Sequence, residues 1–337
     1  MTFVLTHSGF ALVFYPIKMV DLQILPIPVP KGYIHPSVPD PVLPQHEFTL
    51  GVIAPKGSGK TTTIVNLLRM YKGYFNKILV FSPTVKSDEK WDWVKKQKLT
   101  SPNLPLKEFL KKKIDKNKKQ KGIVERAVGN AAEMHKIVDK IEEHTPEIGD
   151  DDFYDDYEDS VFQDLMREQD NMIKFLKDHD QPKYLADRIL VIFDDLVGSD
   201  LFKSKFFKGF NTRHRHYSAS AIMVTQSYKE IQKTIRTQWS GLLAYEIGNE
   251  QEVFVIYEEY SMGLNFKQWL EVYRHCTEAD YSFMFINFQK PKKERIMKNF
   301  QEIVRYERDP VMEVQKRKSK FDAESNYEKK VRREEKK

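Results

Sequence analysis

The stretch APKGSGKTT, residues 54–62, constrains the fold more than any other part of the sequence. It follows FTLGVI at 48–53, an apolar run typical of a buried strand, and it opens a segment with helical character. Gly57 and Gly59 let the backbone wrap phosphate oxygens with amide groups, and a helix N-terminus adds a favourable field. The pattern predicts a phosphate-binding loop at a strand-to-helix turn. The alternative is a glycine-rich turn that binds no nucleotide.

Two side chains of this loop have predicted individual roles. Lys60 is expected to reach the β- and γ-phosphates of a nucleotide, and the hydroxyl of Thr61 is expected to bind Mg²⁺. The expected cofactors are therefore ATP and Mg²⁺. The predicted nucleotide-binding residues are Ala54, Pro55, Lys56, Gly57, Ser58, Gly59, Lys60, Thr61 and Thr62.

A pair of carboxylates ends the next long apolar strand, RILVIFDDL at 188–196. The carboxyl end of a strand in a parallel sheet faces the ligand crevice, and buried carboxylates without a role are costly. We interpret Asp194 as the acid on the Mg²⁺ side and Asp195 as the group that orients or deprotonates the attacking water. The alternative is two solvated loop aspartates.

A further apolar strand, SAIMVTQ at 220–226, ends in Gln226, which could sense the γ-phosphate or water. Glutamine ends many strands, so this residue gains weight only beside the motifs above. Arg213 and Arg215 precede the same strand, and an arginine there could stabilise transition-state charge on a neighbouring subunit. Arg236 is another candidate for this role. Each arginine has the alternative of being an ordinary surface base.

The remaining apolar runs predict an α/β domain. Strands are expected at KILVFS (77–82), GLLAYEI (241–247) and YSFMFINF (281–288), with helical candidates at 202–210, after Tyr228, at 250–260 and at 266–276. Alternating strands and helices with continuous apolar strands predict a parallel sheet covered on both faces. The composition, 40% hydrophobic and 31% charged, suits such a core. The single cysteine, Cys276, excludes an internal disulfide and fits a reducing compartment.

Three segments are expected to lie outside the main pattern. Residues 1–46 are predicted to be a proline-rich extension before a domain at 47–300, and the first 20 residues lack the basic region of a signal peptide. Since Lys60 and Asp194 are far apart, we infer a helical insertion at about 100–182, basic at 107–121 and acidic at 147–159. Residues 301–337 are predicted to form a charged tail.

These motifs together carry a family resemblance. The order KGSGKTT, LVIFDDL, RHYSASAIMVTQSY and IR resembles the genome-packaging ATPases of large eukaryotic DNA viruses and virophages, including the poxvirus type. Those enzymes belong to the FtsK/HerA group of ASCE P-loop NTPases. The eleven-residue step from Arg215 to Gln226 selects Arg215-His216 over Arg213-His214 as the matching pair.

The resemblance implies a P-loop NTPase fold with a central, mostly parallel sheet flanked by helices. It implies ATP hydrolysis completed by Arg215 or Arg236 of a neighbouring subunit, in a ring of five or six subunits around double-stranded DNA. The implied partners are that DNA and the capsid or portal proteins of a virus, with no membrane. The implied location is the host cytoplasm or the virion. The net charge of +6 permits DNA binding without demonstrating it.

Other functions for a phosphate-binding loop stay open at this stage. A DNA helicase is the nearest enzymatic alternative, and unwinding of forked DNA would distinguish it. A nucleotide kinase would need an arginine-rich lid and would act on nucleoside monophosphates. A scaffold that uses nucleotide only to assemble would form oligomers without releasing phosphate.

Overall fold

The computed structural model describes residues 2–5, 11–14, 35–120, 152–196, 198–306 and 312–316. The predictions for the proline-rich segment before residue 35, for the insertion at 121–151 and for the tail after residue 316 lie outside these residues. An antiparallel hairpin of β1 (Thr2–Leu5) and β2 (Ala11–Phe14) stands apart from the main sheet. None of the helices in the described segments is both long and apolar enough to cross a membrane.

Within the described residues the main sheet has ten strands, and six of them are parallel. In spatial order the parallel strands are β5 (Phe153–Tyr154), β4 (Lys77–Phe81), β6 (Ile189–Asp194), β7 (Ala219–Thr225), β3 (Thr49–Ile53) and β8 (Gly241–Tyr245). The strand that precedes APKGSGKTT thus lies between β7 and β8, and β7 separates it from β6. The strand that precedes Gln226 therefore lies beside the loop strand.

Both faces of the sheet are buried, which explains why its strands read as continuous apolar runs. Along β6, Val191 and Phe193 pack into one core layer, while Leu190 and Ile192 pack into the other. The helices cover both layers, as an α/β fold requires. Their bounds are α1 (Lys60–Met70), α2 (Glu89–Lys95), α3 (Leu104–Gln120), α4 (Asp159–Asp178), α5 (Lys205–Arg213), α6 (Lys233–Arg236), α7 (Glu250–Glu259) and α8 (Phe266–Thr277).

The sheet is mostly parallel, as predicted, and the parallel pairing ends at β8. Strand β9 (Phe283–Asn287) runs antiparallel to β8, because two helices, α7 and α8, connect them. A helix pair brings the chain back to the edge at which β8 ended, whereas a single helix would have taken it to the opposite edge. β9 therefore begins at the edge where the phosphate-binding loop lies.

Three more antiparallel strands follow: β10 (Ile296–Lys298), β11 (Glu302–Tyr306) and β12 (Met312–Lys316). The predicted boundary at residue 300 falls between two of these strands, so the sheet continues into the segment expected to be a tail. At the other end, Val42 and Leu43 are buried in the core, and the Tyr71 hydroxyl donates to the carbonyl of Pro44. The chain thus packs on the sheet before residue 47.

The described ends of the predicted insertion carry two helices that pack on each other. Leu106 and Leu110 of α3 pack with Leu176 of α4 and with Ala186. The short strand β5 pairs with β4 and extends the sheet at that side. Part of the basic run at 107–121 therefore lies on α3, a helix with one apolar face against α4.

Candidate nucleotide-binding site

The loop between β3 and α1 has the backbone that its glycines predict. Gly57 and Gly59 both have positive φ, 83° and 91°, in the left-handed region that favours glycine. The N-cap residue of α1 is Gly59, which has no side chain. The amide groups of the first turn are therefore not bonded by a capping side chain. The Ser58 hydroxyl donates to the carbonyl of Pro55 at 2.7 Å and closes the turn. This loop can present amides and a helix N-terminus to an anion.

Three predicted residues come together beside this loop. The Lys60 ammonium lies 2.5 Å from Oδ2 of Asp195, and the Gln226 amide donates to the same oxygen at 2.7 Å. Asp195 directly follows β6 and has a φ of 54°, which turns the chain out of the strand. Because β6, β7 and β3 are parallel neighbours, their carboxyl ends bring these side chains to one edge. Both Lys60 and Asp195 are partly exposed and so remain accessible to a ligand.

Asp194 is placed differently from its neighbour. Its side chain is only 1% exposed, and its Oδ2 accepts a hydrogen bond of 2.8 Å from the Ser82 hydroxyl. Burial raises the pKa of Asp194, while the bond from Ser82 and the charge of Lys60 lower it in part. Its other oxygen, Oδ1, is buried and has no hydrogen-bond partner among the residues that the structure describes. An unpaired carboxylate oxygen of this kind fits a hard cation such as Mg²⁺.

Ser82 was not singled out by the sequence reasoning. It ends the predicted strand KILVFS, and β4 lies next to β6, so the rule applied to Asp194 and Gln226 would have identified it. Thr61, the other predicted Mg²⁺ ligand, is the second residue of α1 and is 9% exposed. The residues present therefore fit a metal-nucleotide, with Asp194 and Thr61 as the oxygen donors.

Arg215 lies at the opposite edge of the sheet. It belongs to a short turn of helix, His214–Tyr217, that comes before β7, whereas Gln226 follows β7. The seven residues of β7 separate the two by roughly 23 Å at about 3.3 Å per residue. The Lys183 ammonium binds the Arg215 carbonyl, and the Arg215 side chain is exposed. Arg215 is therefore remote from the loop of its own chain and free to meet another molecule, and Arg213 is exposed near it.

Arg236, the other arginine predicted to act on a neighbouring subunit, is buried within its own chain. Its side chain is 8% exposed and forms an ion pair of 2.6 Å with Glu259. The same guanidinium donates to the carbonyls of Tyr228 and Ile231, each at 3.0 Å, and lies over the Tyr228 ring. The short helix α6 carries Arg236 into the core rather than onto the surface. Arg236 thus joins α6 to α7 within one chain.

A cluster of possible metal ligands lies at the start of β3, where atoms of His35, His46 and Glu47 come within 4.8 Å of one another. Both ring nitrogens of His46 already bond to serine hydroxyls, and the Lys183 ammonium lies 2.5 Å from the Glu47 carboxylate. A cation there would have to displace these partners. The cluster is a buried polar network that fastens the first residues before β3 to the sheet.

Comparison with known protein families gives a match over the part of the chain that contains several of the predicted site residues. Residues 156–286 match the family model of the Poxvirus A32 protein. The packaging ATPases that the motifs resemble include the poxvirus type. The A32 match is to that type, and it confirms the resemblance over residues 156–286. It includes Asp194, Asp195, Arg215 and Gln226, and it begins after the loop at 54–62. No curated protein sequence matches the chain.

Several solved structures are similar to this chain. B204, the DNA-packaging ATPase from Sulfolobus Turreted Icosahedral Virus, has 11% identity and a TM-score of 0.42, with 81% of this chain and 98% of that chain covered. B204 of Sulfolobus turreted icosahedral virus 2 in complex with ATP-gammaS has 11% identity, a TM-score of 0.41, and coverage of 80% and 96%. The pCW3 conjugation coupling protein TcpA with ATPgS has 12% identity, a TM-score of 0.38, and coverage of 81% and 68%.

Proposed function

We propose that this protein is an ATPase that translocates double-stranded DNA into viral capsids. The observation that carries the proposal is the convergence of Lys60 and Gln226 on one oxygen of Asp195, beside a loop built for phosphate. The A32 match over 156–286 supports the packaging role. The protein would then work in the host cytoplasm, where it would meet capsid or portal proteins.

The proposed reaction is transfer of the γ-phosphoryl group of ATP to water. Amides of residues 57–61 and the start of α1 would hold the phosphates, and the Lys60 ammonium would contact the β- and γ-phosphates. A phosphate oxygen would then share the ammonium with Asp195. The Asp195 carboxylate would accept a proton from the attacking water. The Gln226 amide, bonded to the same carboxylate, would hold it in orientation.

The metal site fits the same reaction. Asp194 would hold Mg²⁺ through Oδ1, its unpaired oxygen, and Thr61 would supply a hydroxyl. When bound, Mg²⁺ would neutralise charge on the phosphates. Ser82 would keep the Asp194 carboxylate in position through the bond to Oδ2. Asp194 and Asp195 are therefore assigned separate roles, one toward metal and one toward water.

An arginine from a second subunit would complete the site. Arg215 lies on the far edge of the sheet from its own loop and is exposed, so it can serve only a site on another chain. Contacts of this head-to-tail type close into rings, and a ring of five or six subunits would surround duplex DNA. Lysines on the ring surface would hold the DNA through its phosphates.

The first test is ATP hydrolysis by the purified protein, with and without long double-stranded DNA. The proposal expects hydrolysis that DNA stimulates and that Lys60→Ala or Asp195→Ala abolishes. Hydrolysis indifferent to DNA would contradict the translocase. Unwinding of forked DNA would indicate a helicase, and phosphate transfer to nucleoside monophosphates would indicate a kinase.

The second test separates action within a chain from action between chains. Lys60→Ala subunits keep Arg215 but lose their own site, while Arg215→Ala subunits keep the site but lose the arginine. In an equal mixture, about a quarter of the interfaces would pair an intact site with an intact arginine, so activity should return. Two inactive variants that stay inactive when mixed would contradict a role for Arg215 between subunits. Mixing Lys60→Ala with Asp195→Ala, which lie in the same site, is the matched negative control.

A further inference from the structure

Tyr281 is an exposed aromatic residue beside the phosphate-binding loop. It lies in the tight turn between α8 and β9, where the Ser282 amide and hydroxyl both donate to the carbonyl of Ala279. Tyr281 is 71% exposed, the highest value among the large exposed hydrophobic residues that the structure describes. A Cβ built on Gly59 would lie 3.1 Å from Cδ1 of the Tyr281 ring. The ring therefore stands directly against the loop.

The backbone at Tyr281 is held in an unfavourable conformation. Its φ is 61°, in the left-handed region, which is uncommon for a bulky side chain and which glycine or asparagine adopts more readily. Burial gives no compensation, since most of the ring faces solvent. A strained and exposed aromatic at the rim of a ligand site suggests contact with a ligand.

Tyr281 lies on the side of the loop where the base of a bound nucleotide would lie. The loop strand β3 has β7 and then β6 on one side, and β8 and then β9 on the other. Asp195 and Gln226 belong to the β6 and β7 side, which is where the γ-phosphate would lie. A nucleotide bound with its triphosphate along the loop would place its ribose and base away from these groups. Tyr281, at the start of β9, lies on that opposite side.

We infer that the Tyr281 ring stacks on the nucleobase of the bound nucleoside triphosphate. This inference rests on the proposed function, because it assigns the base end of the same site. Aromatic side chains bind bases through their faces, and every base offers one. The stacking supplies affinity for a nucleotide over inorganic phosphate chains, and it favours a purine because its ring system is larger.

The test compares binding of ATP with binding of inorganic tripolyphosphate, which has the charge but no base. Tyr281→Gly removes the ring and suits the left-handed backbone, so the variant should fold. It should bind ATP about five- to 150-fold more weakly than the wild type and tripolyphosphate equally well. Tyr281→Phe keeps the ring and should bind ATP normally. In steady-state kinetics, Tyr281→Gly should raise KM for ATP and leave kcat nearly unchanged.

The outcomes separate this inference from the proposed function. If wild-type protein binds ATP and Tyr281→Gly binds it equally well, the stacking is wrong and the ATPase proposal stands. Equal weakening of ATP and tripolyphosphate would mean that Tyr281 acts through the loop at Gly59, which also overturns the stacking. If the wild type binds neither compound, both proposals fail. Phe254→Ala, which removes another exposed aromatic ring, on α7, is the matched control and should leave ATP affinity unchanged.

Discussion

Replacing Arg236 with alanine distinguishes a structural arginine from a catalytic one. The substitution removes the partner of Glu259, whose side chain is only 10% exposed, and leaves that carboxylate buried without its ion pair. It also leaves the carbonyls of Tyr228 and Ile231 without the guanidinium donor. The perturbation therefore falls on the junction between α6 and α7 rather than on the surface.

The expected magnitude follows from that burial. Removing one partner of a buried, hydrogen-bonded ion pair costs about 3–5 kcal/mol in the free energy of unfolding. A change at the exposed Arg215 should stay within about 0.5 kcal/mol. Replacing both partners of the buried pair with apolar residues, Arg236→Met with Glu259→Leu, should restore part of the loss, because no unpaired charge stays buried.

The assay is urea unfolding followed by circular dichroism, combined with ATP hydrolysis on each folded variant. Arg236→Ala should unfold at a clearly lower urea concentration, while Arg215→Ala should unfold like the wild type yet lose hydrolysis. An Arg236→Ala protein with wild-type stability and no hydrolysis would refute the structural assignment. It would return Arg236 to the interface between subunits.

Three further changes give separate checks. Gly51→Ala should destabilise the protein by about 1–3 kcal/mol in urea unfolding, because its Cβ would lie 2.3 Å from the Trp239 ring, whereas Gly248→Ala, with no atom within 4 Å, should not. Asp195→Asn should lower kcat by about 10²- to 10⁴-fold at unchanged stability, if this carboxylate is the general base. Burial above all lowers the pKa of His46, so the unfolded chain takes up a proton below pH 6.5 that the folded chain does not. The unfolding free energy should fall by up to about 1.4 kcal/mol per pH unit below that value, and His46→Gln should reduce this slope in urea titrations.

The sequence predicted the elements of the core well because each strand is buried on both faces. A strand such as Ile189–Asp194 must be apolar at every position, so its apolar run and its acidic end can both be recognised. The direction of β9 could not be predicted in this way, since a buried apolar strand looks the same in either orientation. The order of α7 and α8 without a strand between them was the available signal.

The roles of single side chains were harder to predict, because they depend on partners distant in the sequence. In the sequence Arg236 resembles a surface arginine, because its partner, Glu259, lies 23 residues later in the chain. Ser82 gained its role from Asp194, 112 residues away. Tyr281 belongs to no recognisable sequence motif, and its position against Gly59 follows from the folded structure alone. Local patterns identify strand ends and glycine turns, whereas these three assignments need the topology.

The topology also explains why a single chain of this kind should be a poor ATPase. In a parallel sheet the carboxyl ends of the strands lie at one edge, and here they bring together the phosphate loop and the proposed catalytic groups Lys60, Asp195 and Gln226. The residues before those strands lie at the other edge, and Arg215 is one of them. Since Arg236 is buried, the exposed candidate arginines before β7 reach a γ-phosphate only on a different subunit. If Arg215 completes the site of a neighbouring subunit, as proposed, specific activity should rise with protein concentration until the ring is complete.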